Sequence, residues 1–257
     1  MIDTANYWDL SPIAPPDSIN LELYDYKTPG VPRRYWRRQD FSPVSDWLMS
    51  LREGLTKDFM RDHKTLEEAV KAKPNILPVL EGREDLEGLD VSGVVSSVAK
   101  EHLKSWKNLT IRTVHKKVGR DWTMDRKERF TLYPTASQII SKFHDDMQHA
   151  AYSLIEPRSS IERHTGQENR TGEFLRIHIP LIIPEGDLYF ECMGEVIYWD
   201  DIWGFNNQLT HSAHNNTDEY RLIFLLDLRM SALGLEPCGQ FDPKWQLHAK
   251  PFIREKQ

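Results

Sequence analysis

Residues 174–183 read FLRIHIPLII and residues 220–228 read YRLIFLLDL. Both are short apolar runs bounded by turn formers, which is the pattern of a strand. Each also carries groups with chemistry, Arg176 and His178 in the first and Arg221 and Asp227 in the second. Outward from these, runs of the same texture occupy 152–155, 187–192 and 196–199, separated by Gly, Pro, Asn and Asp. Several short strands at this spacing predict an antiparallel sandwich or barrel, with a jelly roll as the leading form.

Upstream the texture is different. Residues 1–42 are rich in Pro and aromatic residues without a sustained period, an irregular wrap that lays rings on another surface. Arg33, Arg34, Arg37 and Arg38 form a basic cluster there, read as a solvated edge with ion pairs. Ser42 and Pro43 predict a helix start, with Ser as N-cap and Pro at the first helical position. Trp47, Leu48, Leu51, Leu55 and Phe59 follow at helical spacing. Residues 74–93 read as a loop or lid with an acidic face, 94–106 as a second helix and 135–147 as a third. The expected organisation is mainly β with flanking helices. An N-terminal helical or irregular extension (1–130) shapes the substrate site, a catalytic core spans 131–235, and a tail follows (236–257).

Composition narrows the function. The 257 residues carry 33 Lys and Arg against 39 Asp and Glu, a formal charge of -6, so the chain as a whole is not drawn to polyanions, and nucleic-acid polymers are not the expected partner. The apolar runs are far shorter than the roughly 20 residues of a membrane helix, so no membrane association is expected. Two cysteines, Cys192 and Cys238, cannot build a disulfide framework, and the N-terminus lacks the pattern of a secretory signal. A reducing, cytoplasmic location is the expectation.

Among ten histidines, His164 falls in a polar turn between strands and His211 ends a polar run just before the strand that carries Arg221. Two imidazoles on facing strands are natural ligands for a first-row metal, though hydrogen-bonded structural histidines look the same in sequence. His144, Asp145 and Asp146 imitate a His-x-Asp metal motif. On a helix, however, positions two apart point about 200° around the axis, so these residues read as a charge cluster at a helix end. His214, three places beyond His211, falls on the opposite face of an extended strand.

Set in order, Tyr152-Ser153-Leu154, His164-Thr165-Gly166, Leu175-Arg176-Ile177-His178 with Pro180-Leu181, Phe205-Asn206-Asn207 with His211, and Arg221-Leu222-Ile223-Phe224 with Asp227 resemble the aspartyl/asparaginyl β-hydroxylase family. These are iron(II)- and 2-oxoglutarate-dependent oxygenases on a double-stranded β-helix, a cupin-like jelly roll. The motifs run from about Ile139 to Asp227. The resemblance implies that His164 and His211 bind iron and that Arg221 pairs with the distal carboxylate of 2-oxoglutarate. A planar guanidinium offers that group a bidentate hold which Lys lacks. Ser153, Arg176 and His178 fall on positions that help bind the cosubstrate. An alternative for Arg221 is an inward strand arginine paired with Asp227.

Gly166 stands where most enzymes of the wider class have an iron-binding carboxylate. Two neutral imidazoles and dianionic 2-oxoglutarate make iron(II) formally neutral and leave a ligand position open. The implied reaction hydroxylates an unactivated C–H of an aspartyl-like or other polar substrate, free, carrier-bound or peptidyl, with O2 as the second substrate. The vacant position at Gly166 also suits chloride, which keeps a halogenase as an alternative. A third reading is a non-catalytic jelly-roll binding module, suggested by the exposed-looking Trp199 and Trp203. For an acidic substrate, Arg112, Arg120 or the Arg33 to Arg38 cluster would supply the counter-charge.

Overall fold

The computed structural model describes residues 33–73, 76–78, 105–117, 120–125, 127–164 and 172–239. The loop expected at 74–93 and nearly all of the helix expected at 94–106 lie outside this set, as does Gly166.

Three helices lead the described chain: α1 (Val44–Ser50), α2 (Arg52–Met60) and α3 (Leu66–Lys71). Pro43 takes the N-cap position of α1, one residue later than expected, and the Ser42 hydroxyl donates to Asp46 at 2.5 Å. Leu48, Leu55 and Phe59 are fully buried, with Trp47 and Leu51 packed beside them, as the helical stripe implied. Thr65 and Glu68 cap α3 reciprocally, which satisfies donors that the helix itself cannot. Two further helices, α4 (Lys127–Leu132) and α5 (Pro134–Lys142), precede the main run of strands. The helix expected over 135–147 therefore ends early. Its last residues form a 3-10 turn at His144–Asp146, and Met147 already belongs to a strand.

Among the described residues twelve strands form two antiparallel sheets. The larger has the order β1 (Tyr35–Arg37), β10 (Trp203–Phe205), β7 (Phe174–Ile182), β12 (Arg221–Arg229), β5 (Met147–Ile155), β3 (Trp106–Lys117) and β2 (Leu77–Pro78), with β4 (Arg120–Asp125) paired to β3. The smaller has the order β6 (Ser159–His164), β11 (His211–Asn215), β8 (Leu188–Cys192) and β9 (Glu195–Ile197). In chain order, β5 to β12 alternate between the sheets apart from the β8–β9 hairpin, which stays in the smaller one, so the fold is the double-stranded β-helix. Trp106 opens a strand rather than closing a helix. β3, from before residue 131, pairs with β5, from after it, and residues from both stretches contribute to one core.

Period-two alternation explains the composition of the central strands. On β12, Leu222, Phe224, Leu226 and Leu228 face the helices, while Ile223 and Leu225 face the smaller sheet. On β7, Leu175, Ile177, Ile179 and Leu181 join the helix-side core. Both faces are buried, which is why these strands read as continuous apolar runs. Of the few polar residues on them, Arg176, His178, Arg221 and Asp227 are buried as well, and only Arg229 at the end of β12 is half-buried. The β8–β9 hairpin turns on Met193 and Gly194, both with positive φ (53° and 83°), as a two-residue type I′ loop demands. Among the described residues, no helix is long and apolar enough to cross a membrane.

Candidate active site

Between the two sheets lies a cavity that opens in part to solvent. Ser153 from β5, Arg176 and His178 from β7, His211 from β11 and Arg221 from β12 all line it. Five residues named from sequence, drawn from four strands, thus meet in one place. His164 is placed by its backbone: it stands directly across from His211 in the β6–β11 pair, at the end of β6 and not in a turn. Residues opposite one another on antiparallel strands have Cβ atoms about 4.5–5.5 Å apart.

The His211 Nδ1 lies 2.7 Å from the carbonyl oxygen of Leu209. A carbonyl only accepts, so Nδ1 carries the proton, and in the neutral ring Nε2 is the lone-pair nitrogen. This is the second-contact arrangement that orients a metal-binding imidazole. Phe205 and Phe190 pack against the ring at centroid distances of 4.8 and 5.7 Å. His214, by contrast, stacks on Tyr189 and meets the Ser212 hydroxyl at 3.1 Å. Among the described residues no group of three or more His, Cys, Asp or Glu could hold a metal ion.

Arg221 is 2% exposed, and no ion pair among the described residues involves it. Its guanidinium lies 4.8 Å from the centroid of the Trp199 ring, Nη1 reaches the Ser153 carbonyl only at 3.5 Å, and Nε has no hydrogen-bond partner among the described residues. Burial pushes the group down to about 9. A buried cation left without a counter-charge is costly, and an anionic ligand removes that cost. Asp227 is not the missing partner. Its carboxylate closes on Arg176 through two bonds, Nε to Oδ1 at 2.8 Å and Nη2 to Oδ2 at 2.7 Å, so the Arg221–Asp227 pairing considered from sequence does not form.

His178 is enclosed by Trp199, Trp203, Phe190 and Phe205. Burial, and then the charges of Arg221 and Arg176, hold its pKa well below the usual histidine range. The Trp199 indole donates to its Nδ1 at 3.2 Å, and the Trp106 indole donates to the Ser153 Oγ at 2.8 Å.

Sequence reasoning misses Trp106 as a cavity residue and takes Trp199 for an exposed one. Trp199 and Trp203 are each 3% exposed, which removes the sugar-platform argument for a binding module. Trp106 was assigned to a helix, although Leu109 and Ile111, spaced by two beside Thr110 and Thr113, signalled a strand. Three members of the basic cluster form ion pairs, Arg33 with Asp40, Arg34 with Glu195, and Arg38 with Asp46 and Asp201, while Arg37 donates to the Tyr35 hydroxyl. Arg112 is buried and donates to the His144 carbonyl, and the side chain of Arg120 lies outside the described set. His144 contacts exposed Asp145 at 2.9 Å on the surface, as a helix-end cluster should.

The sequence model described as Aspartyl/Asparaginyl beta-hydroxylase matches residues 80–230, well upstream of Ile139, where the recognisable motifs begin. Aspartyl/asparaginyl beta-hydroxylases of Mus musculus and Homo sapiens are each 29% identical over 79 residues, covering 30% of this chain and 10% of each relative. The chain therefore spans about a tenth of the length of the curated relatives it matches. Similar solved structures include a 2OG-Fe(II) oxygenase family oxidoreductase from Burkholderia pseudomallei, with TM-score 0.34, 11% identity, and coverage of 48% of this chain and 67% of that one. Another is a Pseudomonas putida prolyl-4-hydroxylase, with TM-score 0.36, 9% identity, and coverage of 76% and 90%. Overlaps of this extent assign no residue in the cavity.

Proposed function

The chain belongs to the aspartyl/asparaginyl β-hydroxylase family, and from that premise we propose that it is an iron(II)- and 2-oxoglutarate-dependent oxygenase. In this reading it hydroxylates an unactivated C–H of an aspartyl-like or other polar substrate, free, carrier-bound or peptidyl. The observation that carries the reading is Arg221: a buried guanidinium, without an ion-pair partner among the described residues, in a cavity that also holds Ser153, Arg176, His178 and His211.

The residues fit the groups the family implies. His211 has the tautomer a metal ligand needs, and His164 occupies the facing register position, so the pair would hold iron(II). The orphaned Arg221 Nε and the long contact of Nη1 leave the guanidinium fork to the distal carboxylate of 2-oxoglutarate. When bound, iron and 2-oxoglutarate supply the activation of O2 for C–H hydroxylation, with succinate and CO2 as co-products. The chain's own residues do the rest. Arg221 and Ser153 orient the cosubstrate, the Arg176–Asp227 pair holds the wall on β7 and β12, and the ring of aromatics around His178 excludes water. With Gly166 at the carboxylate position, the protein adds no negative charge to the metal there.

The test is anaerobic addition of iron(II) and 2-oxoglutarate to the purified protein, followed by air and a panel of amino acids, peptides and nucleotides. A weak visible charge-transfer band, then succinate release and a product heavier by one oxygen whether or not chloride is present, is the expected result. No band and no succinate overturn the reading, and a chloride-dependent product replaces it with halogenation.

A further inference from the structure

Beyond β12 the chain turns back toward the loops around the site. A 3-10 turn (Met230–Leu233) follows the strand and stops at Gly234, whose left-handed φ of 72° ends the helical path with its N–H on the Met230 and Ser231 carbonyls. The Leu235 N–H donates to the Met230 carbonyl at 2.9 Å, and its side chain packs on the helix-side core. The stretch expected as a tail then crosses the chain ahead of β7. The Cys238 N–H donates to the Gly172 carbonyl at 2.9 Å, and the Cys238 Sγ lies 3.6 Å from the Met230 Sδ. The crossing sets glycine on glycine, Gly172 at φ 67° and Gly239 at φ 71°. A Cβ on Gly172 would run into the Gly239 carbonyl oxygen and stand 2.7 Å from its N, so no other residue allows this approach.

Gly239 also meets the β10–β11 loop, Asn206 to Thr210, every residue of which is buried. The Gln208 side-chain amide donates to the Gly239 carbonyl at 3.4 Å. Within the loop, Asn206 Oδ1 accepts from the Gln208 N–H at 3.1 Å, and the Asn206 carbonyl accepts from the Leu209 N–H at 3.0 Å. At its ends, the Asn206 N–H donates to the Arg34 carbonyl at 3.3 Å, and the Met193 N–H donates to the Thr210 carbonyl at 2.9 Å. What these bonds fix is the direction of the Leu209 carbonyl, which stands 2.7 Å from the His211 Nδ1. A carbonyl turns only with its peptide plane, so the bonds on either side of Leu209 decide where that acceptor stands. The bond from Gln208 is long and weak by itself. The glycine crossing, where two backbones touch, supplies the rigidity behind it.

We propose that Leu235–Gly239 is a positioning strap, which locks the chain at Gly172 to the β10–β11 loop at Gln208 and so holds the Leu209 carbonyl that orients His211 as a metal ligand. The proposal rests on the oxygenase reading for the metal, and on the contacts above for the strap. The strap residues are not among those lining the cavity, so they act through Gln208 and Leu209 and not by touching a ligand. Groups that hold the second nitrogen of a metal-binding imidazole change metal affinity by about 10–100-fold when they are removed. Loss of the strap therefore reads as weaker metal binding and a freed imidazole. A tail that merely covers surface would leave both unchanged.

The experiment uses the full chain and reads no turnover. It compares wild type with Gly172→Ala, which puts a Cβ into the crossing, and with Gln208→Met, which keeps the length of the side chain and removes its donor. Long-range 15N–1H NMR of histidine-labelled, metal-free protein locates the His211 proton. It is expected on Nδ1 in wild type and as a mixture of tautomers in both variants; a wild-type proton on Nε2 overturns the proposal. Calorimetry with manganese(II) is expected to show binding about tenfold weaker in each variant. Cys238 reports on the strap itself. The residue is exposed, but burial of its sulfur pushes the thiol up to about 11, which keeps it protonated and slow to react, and Cys192 is buried. Alkylation by a maleimide is expected to be about tenfold faster in Gly172→Ala, where the strap is lifted. Variants that keep the Nδ1 proton and full manganese affinity overturn the proposal even if their melting temperature falls, since the strap then serves stability alone. An unchanged alkylation rate in Gly172→Ala overturns it as well. Should Gly172→Ala fail to fold, Gln208→Met decides by tautomer and affinity. Failure of the wild type to bind manganese overturns the oxygenase reading instead, while the tautomer and the thiol still decide the strap.

Discussion

Replacing Arg221 by Met should make the ligand-free protein more stable while removing its response to 2-oxoglutarate. The guanidinium is 2% exposed and has no ion-pair partner among the described residues. Burial alone pushes its pKa down to about 9, and at about 1.4 kcal/mol per unit, keeping it charged inside costs at most about 5 kcal/mol. Against this stand a cation–π contact with Trp199, about 0.5–2 kcal/mol, and one hydrogen bond at 3.5 Å that adds little. Methionine fills a similar volume without the charge, so a net gain of about 1–4 kcal/mol is expected, or roughly 2–4 °C in Tm for each kcal/mol. The pH dependence has a definite sign. Because the folded pKa lies below the unfolded one, the unfolded chain binds the extra proton above about pH 9, and stability from this group rises with pH from there. The penalty is complete below about pH 9, so the gap between wild type and variant should be widest at neutral pH and narrow from pH 9 upward. Thermal melts of both proteins across pH 7–11, with and without manganese(II) and 2-oxoglutarate, read all of this. A ligand-free variant that melts below wild type, or one that still gains stability from 2-oxoglutarate, would refute the reasoning.

Three further outcomes follow from the geometry. His211→Ala should abolish retention of a divalent metal in equilibrium dialysis while costing about 1–2 kcal/mol of stability, the scale of the ring's hydrogen bond to the Leu209 carbonyl and its contacts with Phe190 and Phe205. Asp227→Ala strands the buried Arg176 cation and should cost about 3–5 kcal/mol in urea unfolding; a loss under 1 kcal/mol would mean that the pair is not needed. Gly204→Ala places a Cβ 2.6 Å from Leu175 Cδ2 and should cost about 1–3 kcal/mol by the same measurement, because β10 cannot move away from β7 without losing its ladder.

Local pattern was sufficient for part of this molecule. A strand buried on both faces must be apolar at nearly every position, so an Arg or His inside 174–183 or 220–228 already stood out as a group with a task. The helix stripe from Trp47 to Phe59 and the surface character of His144 to Asp146 follow equally from a period of 3.6 residues. These features belong to one segment each, and the sequence by itself determined them, together with the order of motifs that marks the family.

What depends on segments far apart in the chain was decided only by the tertiary structure. Register between β6 and β11 sets His164 opposite His211, and register between β7 and β12 gives Asp227 to Arg176 and leaves Arg221 without an ion-pair partner among the described residues. Trp199 and Trp203 looked exposed in a turn-rich stretch, yet the closing of one sheet on the other buries them around His178. A strand's alternation says which residues share a face, but not what that face will meet. Packing across the sandwich chooses the partner, and with it the charge balance and proton placement of the cavity.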